Sequence, residues 1–223
     1  MSYIADRRQE EKDRRRSEIV EAAESLYQEL GWDAVTMDSV AKKARLSRAL
    51  VYVYFKDKRE LLLAITERAF MVLRARFEEA RSRARTGLDQ IEAMGRAYMA
   101  FGVEFNHYFD ACARLEQRAS ETPEKGSIEE AVFQMGVRVH EVVVASLKAG
   151  QADGSVRADL GDLEVTSRVL WGFTHGLMQI AITKAGPLAQ AGISVTQLTQ
   201  QAIALIRYTL AGSGAGSGSS LTE

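Results

Sequence analysis

A chain of 223 residues is more than one minimal domain needs and few enough for two modest ones; its 46% hydrophobic and 26% charged content supports a buried core. Two prolines, Pro123 and Pro187, amid abundant Ala, Leu, Glu, Arg and Gln favour helices, and the lone Cys112 excludes an intramolecular disulfide and any cysteine-cluster metal site. The net charge of −1 neither favours nor excludes nucleic acid, so the distribution of charge has to decide.

Residues 1–16 carry six basic and four acidic side chains. This stretch is either a mobile arm or the charged start of the first helix. It lacks the apolar core of a signal peptide, and with a single cysteine the expected location is the cytoplasm. Ile19, Ala22, Ala23, Leu26 and Leu30 recur at three- and four-residue steps, which predicts a helix from Ser17 to Leu30, stopped by Gly31. Thr36 can cap a second helix running to about Ala44. After a break at Arg45-Leu46-Ser47, Ser47 can cap a third, Arg48 to about Phe55. Asp57-Lys-Arg-Glu60 reads as a capping box opening a long fourth helix to about Arg81.

Beyond Gly87 the pattern predicts helices over Leu88–Phe105 and Tyr108–Ser120, a loop at 121–127, and a helix over Ile128–Ala149 ended by Gly150. A turn over 151–161, a helix over Asp162–Ala185 and a loop bounded by Gly186-Pro187 and Gly192 follow. A capping box, Ser194-Val-Thr-Gln197, opens a last helix to about Ala211. Nothing reads as a strand, and no apolar run reaches the length of a membrane span. The expected architecture is all-α, with about nine helices. An N-terminal three-helix helix-turn-helix domain spans 1–57, a helical bundle 58–211, and a flexible Gly/Ser tail 212–223.

Two short helices joined by a tight turn are also what an ordinary αα-corner looks like. Charge weighs against that reading. From Val40 to Arg59 seven basic residues face one acid, Asp57; that window is +6, and on a net −1 the rest of the chain is −7. A local basic field of this kind suits a polyanionic backbone. With Leu46, Val51 and Phe55 turned inward, Arg48, Ala49, Leu50 and Val53 would face the groove. Arg48 is the natural hydrogen-bonding base reader, since a guanidinium fits the guanine O6/N7 edge. Thr36, Tyr52, Tyr54 and Lys58 would hold phosphates, and for each tyrosine the alternative is half-buried packing.

The run from Thr36 through Val40-Ala41, Leu46-Ser47-Arg48 and Tyr52-Val-Tyr-Phe-Lys-Asp-Lys58 to Leu63 resembles the signature of the TetR (tetracycline repressor) family. The preceding helix from about Arg14, with Ala22, Ala23, Leu26, Gly31 and Trp32, shares the likeness. In that family the third helix enters the major groove. The resemblance therefore implies base reading by Arg48, Ala49 and Leu50 and phosphate contacts from Thr36, Tyr52 and Lys58. Arg45 stands where the family usually has Gly, Val53 where it often has a polar residue, and Leu50 where Thr is frequent. A non-glycine in such a turn costs roughly 1 kcal/mol or more, so Arg45 implies a slightly strained turn, whereas the changes at Val53 and Leu50 each remove a polar contact and bear on which bases are preferred.

The resemblance implies that the second domain dimerises and binds a small effector. Gly172 and Gly176 stand four apart, where helix backbones could approach each other within a monomer or between two. Val169, Ile180, Leu198, Ala202 and Leu205 on the last two helices add apolar surface for a two-fold interface. Tyr98, Phe101, Phe105, Tyr108, Phe109, Phe133, Trp171 and Met178, with His140 and His175, have the make-up of a mostly apolar pocket with polar anchors; the alternative for each aromatic is plain core. The three histidines lack a compact metal spacing, so no metal and no cofactor are expected. No phosphate loop, nucleophile elbow or zinc motif points to an enzyme. The partners expected are double-stranded operator DNA, a small-molecule effector and a second copy of the chain. The competing reading is an architectural DNA-binding protein without a ligand.

Overall fold

The computed structural model describes residues 3–116 and 122–212. Among them lie ten α-helices: α1 (Tyr3–Leu30), α2 (Met37–Ala44), α3 (Arg48–Tyr54), α4 (Lys58–Ser82), α5 (Gly87–Glu104), α6 (Asn106–Glu116), α7 (Ile128–Asp153), α8 (Leu163–Thr183), α9 (Ala185–Gln190) and α10 (Val195–Leu210). A 3-10 turn, Trp32–Ala34, follows α1, and one antiparallel bridge joins Val156 to Ala211. Beyond Gly212, the expected tail lies outside the described residues. The helices form two compact units, Met1–Ala69 with Phe105–Phe133, and Phe70–Glu104 with Gln134–Glu223.

In the first unit α1 begins fourteen residues before the predicted Ser17, so the charged stretch is helix from Tyr3 on. It lacks Gly and Pro, and side chains at helical spacing support one another: Gln9 donates to Asp13 at 2.8 Å, and Arg15 pairs with Glu11 at 3.1 Å and Glu18 at 2.9 Å. Residues 5–14 are exposed, and burial begins at Ile19 and Val20. Gly31 ends the helix at φ 77°, ψ 155°, a region open to glycine but not the left-handed helical one.

At the start of α2, Thr36 Oγ1 accepts from the Ser39 N–H at 3.1 Å, and Ser39 Oγ accepts from the Thr36 N–H at 2.9 Å. This capping box satisfies two backbone donors. Arg45 closes α2 in the left-handed conformation, φ 57°, ψ 39°. Ser47 Oγ then caps α3 through the Leu50 N–H at 3.2 Å. Val40, Ala41, Val51 and Phe55 are buried, while Leu46 is only half-buried. Asp57 caps α4 by accepting from the Glu60 N–H at 2.9 Å; Glu60 reaches back one residue further than a capping box would, to the Lys56 N–H at 2.6 Å. Leu61, Leu63 and Ile65 are fully buried, each worth about 1.5–3 kcal/mol of apolar transfer.

The second unit packs α5 against α8 and α10. Gly150 does not end α7, which continues to Asp153, with Gly154 at φ 78° beyond it. Gly150 instead permits a close approach: a Cβ there would lie 2.3 Å from Val156 Cγ2, and one on Gly87 would lie 2.0 Å from the Gly150 nitrogen. The stretch read as a loop around Gly186-Pro187 contains α9, with Pro187 in its first turn, where no N–H donor is needed. Asp162 caps α8, and Ser194 with Gln197 forms the expected box on α10.

Candidate nucleic-acid interface

The α2–turn–α3 segment carries all eight of the predicted DNA-contacting residues on or beside it. Ala49 and Tyr52 are exposed, Val53 is 77% exposed, and Leu50 and Tyr54 are half-buried. An exposed valine on a basic surface costs hydration and contributes nothing to the core, which fits a methyl-contacting role. Thr36 uses a lone pair in its cap, so its hydroxyl proton remains to be donated to a phosphate.

The basic residues divide in a way their spacing does not reveal. Lys43 pairs with Glu29 at 2.7 Å, Arg48 with Asp38 at 3.1 Å, and Arg59 with Glu129. Lys58 Nζ donates to the Trp32 carbonyl at 2.5 Å and the Asp33 carbonyl at 3.3 Å, and sits 4.8 Å from the centre of the Trp32 ring. Burial pulls the Lys58 ammonium below its ordinary range, with Asp33 acting in the opposite direction. Two of its three donors are occupied, leaving one for a phosphate. Lys42, Arg45 and Lys56 are exposed, with no ion pair among the described residues.

Contacts missed in the sequence tie α6 to this region. Arg114 Nε pairs with Asp110 at 2.7 Å and its Nη atoms with Asp33 at 3.0 and 3.2 Å. Tyr27 donates to the same Asp110 at 2.6 Å and packs on Trp32 at 5.1 Å between ring centres. Tyr108 donates to Glu24 at 3.1 Å, and Glu24 pairs with Arg68 of α4 at 3.0 Å. Spacing offered no signal for Arg114–Asp33, Tyr27–Asp110, Tyr108–Glu24 and Arg68–Glu24, which join residues more than 40 positions apart.

The ten residues proposed for a pocket separate. Phe105, Tyr108 and Phe109 lie in the first unit, where Phe105 stacks on Tyr108 at 5.7 Å. Phe133 is exposed, so it is not core. In the second unit α8 places Ser167, Trp171, His175 and Met178 at four-, four- and three-residue steps. His140 Nδ1 lies 2.8 Å from Ser167 Oγ, and His175 Nδ1 lies 2.7 Å from Tyr98 Oη. Trp171 stands between the two imidazoles, 5.9 and 5.7 Å from their centres. Burial holds both histidines below the ordinary imidazole range, aided at His140 by Arg168. Phe101 and Met178 are fully buried, with Met178 closing over Gly102.

Of the residues proposed for dimerisation, Val169, Gly172, Ile180 and Leu205 are exposed, and Gly176 and Leu198 are half-buried. A Cβ on Gly172 or Gly176 would meet nothing within 4 Å, so neither glycine serves a close contact within the monomer. Ala202 is the exception. At 3% exposure it faces the core of its own unit, where α10 packs on α5, and it is not available to a partner.

An exposed basic helix-turn-helix heading an otherwise helical chain defines a DNA-binding transcriptional regulator. Residues 19–65 match the family described as bacterial regulatory proteins, tetR family. An uncharacterized HTH-type transcriptional regulator of Bacillus subtilis (strain 168), YhgD, is 26% identical over 156 residues, 70% of this chain and 78% of its own. Residues 19–65 thus resemble the DNA-binding region of the tetR family of bacterial regulatory proteins, and the longer likeness to YhgD is to a transcriptional regulator as well. The fold agrees: a Rhodococcus sp. RHA1 protein of unknown function matches with a TM-score of 0.71 at 24% identity, over 88% of this chain and 95% of that one. The regulator FadR from Bacillus subtilis in complex with stearoyl-CoA matches at 0.67 and 16%, over 86% and 98%.

Proposed function

We propose that the chain is a homodimeric, effector-released repressor that binds a near-palindromic operator in the cytoplasm. The observation that carries this reading is the exposed α2–α3 surface, with Arg48, Ala49, Tyr52 and Val53 outward and Lys42, Arg45 and Lys56 beside them. A two-fold dimer presents two α3 helices about 34–36 Å apart, or a multiple of that, to successive turns of the major groove. Arg48 reads a guanine, Ala49, Leu50 and Val53 contact thymine methyls, and Thr36, Tyr52, Tyr54 and Lys58 hold phosphates.

The effector would be small and mostly apolar. Its site in the second unit is the side-chain cluster of Tyr98, His140, Trp171, His175 and Met178, whose polar atoms give an apolar ligand two hydrogen-bonding anchors. FadR, a fold neighbour, is described with a bound acyl chain, stearoyl-CoA, which is compatible with an apolar effector. The ligand acts by population shift. It lowers operator affinity only by as much as it prefers the dimer state with the wrong spacing of α3 helices, and α4, which runs unbroken from Lys58 to Ser82, is the lever.

Selection of bound sequences from a random duplex library, followed by a salt titration on the winner, tests the reading. The expected result is an enriched palindrome with steep salt dependence. A folded dimer that enriches nothing refutes operator recognition and favours the architectural alternative.

A further inference from the structure

Arg48 opens α3, and Asp38 lies in the first turn of α2, ten residues earlier. Arg48 Nε stands 3.1 Å from Asp38 Oδ1, and Nη1 donates to Oδ2 at 3.3 Å. The guanidinium also lies over the Tyr52 ring, 5.5 Å from its centre. Side chains on two helices thus hold the guanidinium, while Arg48 and Asp38 each stay 63% exposed.

A pair this exposed adds little to folding stability. An acid on a face otherwise built to attract phosphate also works against electrostatic affinity. Its value must lie elsewhere. A long, exposed arginine samples many rotamers, and ordering it on binding is costly. Asp38 and Tyr52 hold it in one orientation before DNA arrives. The guanidinium has five N–H donors; one, on Nη1, donates to Asp38, and Nε lies within ion-pair distance of the same carboxylate. Even with Nε also turned to the carboxylate, enough N–H groups remain for the two-pronged contact with guanine O6 and N7. The carboxylate also competes with phosphates for the guanidinium, so that a contact with backbone alone is disfavoured. Specificity requires such a bias against the wrong partner as well as attraction to the right one.

We propose that Asp38 is a specificity-determining residue of the DNA interface, which aims Arg48 at a base edge and weakens binding to unrelated sequence. This rests on the operator-binding reading above. The alternative is that Asp38 only complements the positive end of the α2 dipole.

The test uses the full chain as wild type, Asp38→Asn, Arg48→Ala and the double variant. Each is put through selection from the random duplex library. Each is then titrated on the wild-type winner, on that duplex with single base pairs changed, and on a random duplex. At the base pair whose preference Arg48→Ala abolishes, Asp38→Asn is expected to cut discrimination about fivefold or more. It should bind the random duplex at least as tightly as wild type. In the Arg48→Ala background the Asn substitution should cause no further loss of discrimination, because the two residues act as one unit. Unchanged discrimination by Asp38→Asn overturns the proposal. So does an equal loss on every duplex, which is the signature of a damaged helix, and so do additive losses in the double variant. A wild-type chain that enriches no sequence fails one step earlier, taking the operator reading with it.

Discussion

Arg45 holds the turn between α2 and α3 in a left-handed conformation, φ 57°, the one positive φ outside glycine among the described residues. That conformation crowds Cβ and costs roughly 1–2 kcal/mol, against about 0.5–1 kcal/mol for the extra freedom a glycine loses on folding. Arg45→Gly should therefore raise the unfolding free energy by about 0.5–1 kcal/mol, seen as a higher denaturant midpoint at unchanged slope. A lower midpoint would show that Arg45 contributes packing that outweighs its strain. The turn was legible in the sequence, because Arg45 interrupts the helical pattern where the family usually has glycine.

Protonation of the histidines belongs to the same scale. Burial holds His107, His140 and His175 below the ordinary imidazole value. Each binds its proton more readily in the unfolded chain than in the fold. Their stabilising contribution is complete above about pH 6.5 and is lost as pH falls from there towards the depressed folded values. Burial of Glu24 acts with the opposite sign in the carboxylate range, since its raised value favours the protonated fold. Unfolding free energy measured from pH 7.5 down to 5.5 should decline, and the His140→Gln, His175→Gln double variant should decline less. A double variant with the wild-type slope would remove these two imidazoles from the account.

For whole elements, the sequence was informative where a local pattern decided the outcome and silent where distant partners did. Helices α2, α3 and α4 were readable because Thr36, Ser47 and Asp57 are caps acting within three residues. Gly150 was misjudged as a helix stop because its function depends on Gly87 and Val156, which no short window contains. The docking of α6 on α1 was invisible for the same reason. Its energetics can be apportioned by exposure. Asp33 is 85% exposed, so its pair with Arg114 is screened and worth little. Asp110 accepts from Tyr27, which is 4% exposed and would be left with a stranded hydroxyl. Removing that acceptor costs about 1–3 kcal/mol. Chemical denaturation should show Asp110→Ala losing an amount in that range and Asp33→Ala losing much less. Equal losses would mean that Arg114, not Tyr27, carries the attachment.

At the scale of the whole molecule, what the fold leaves uncovered matters as much as what it buries. Val165, Val169, Phe173 and Ile180 on α8, and Leu205 and Tyr208 on α10, are all exposed large side chains. Two helices with this much apolar surface gain from a second copy. The glycines of α8 separate this proposal from a purely monomeric account. Nothing lies within 4 Å of a Cβ built on Gly172, so within one chain alanine is tolerated there and improves helix propensity by about 1 kcal/mol. If the backbones of two α8 helices meet at Gly172, the same methyl group stands between them. Gly172→Ala should then make the dilute monomer more stable to denaturant while shifting sedimentation equilibrium towards monomer. The opposite signs are informative because a general packing defect lowers both quantities together. Dimerisation unchanged in Gly172→Ala, yet abolished by Val169→Glu, would keep the α8 face as the interface and place the close approach of the helices elsewhere along it.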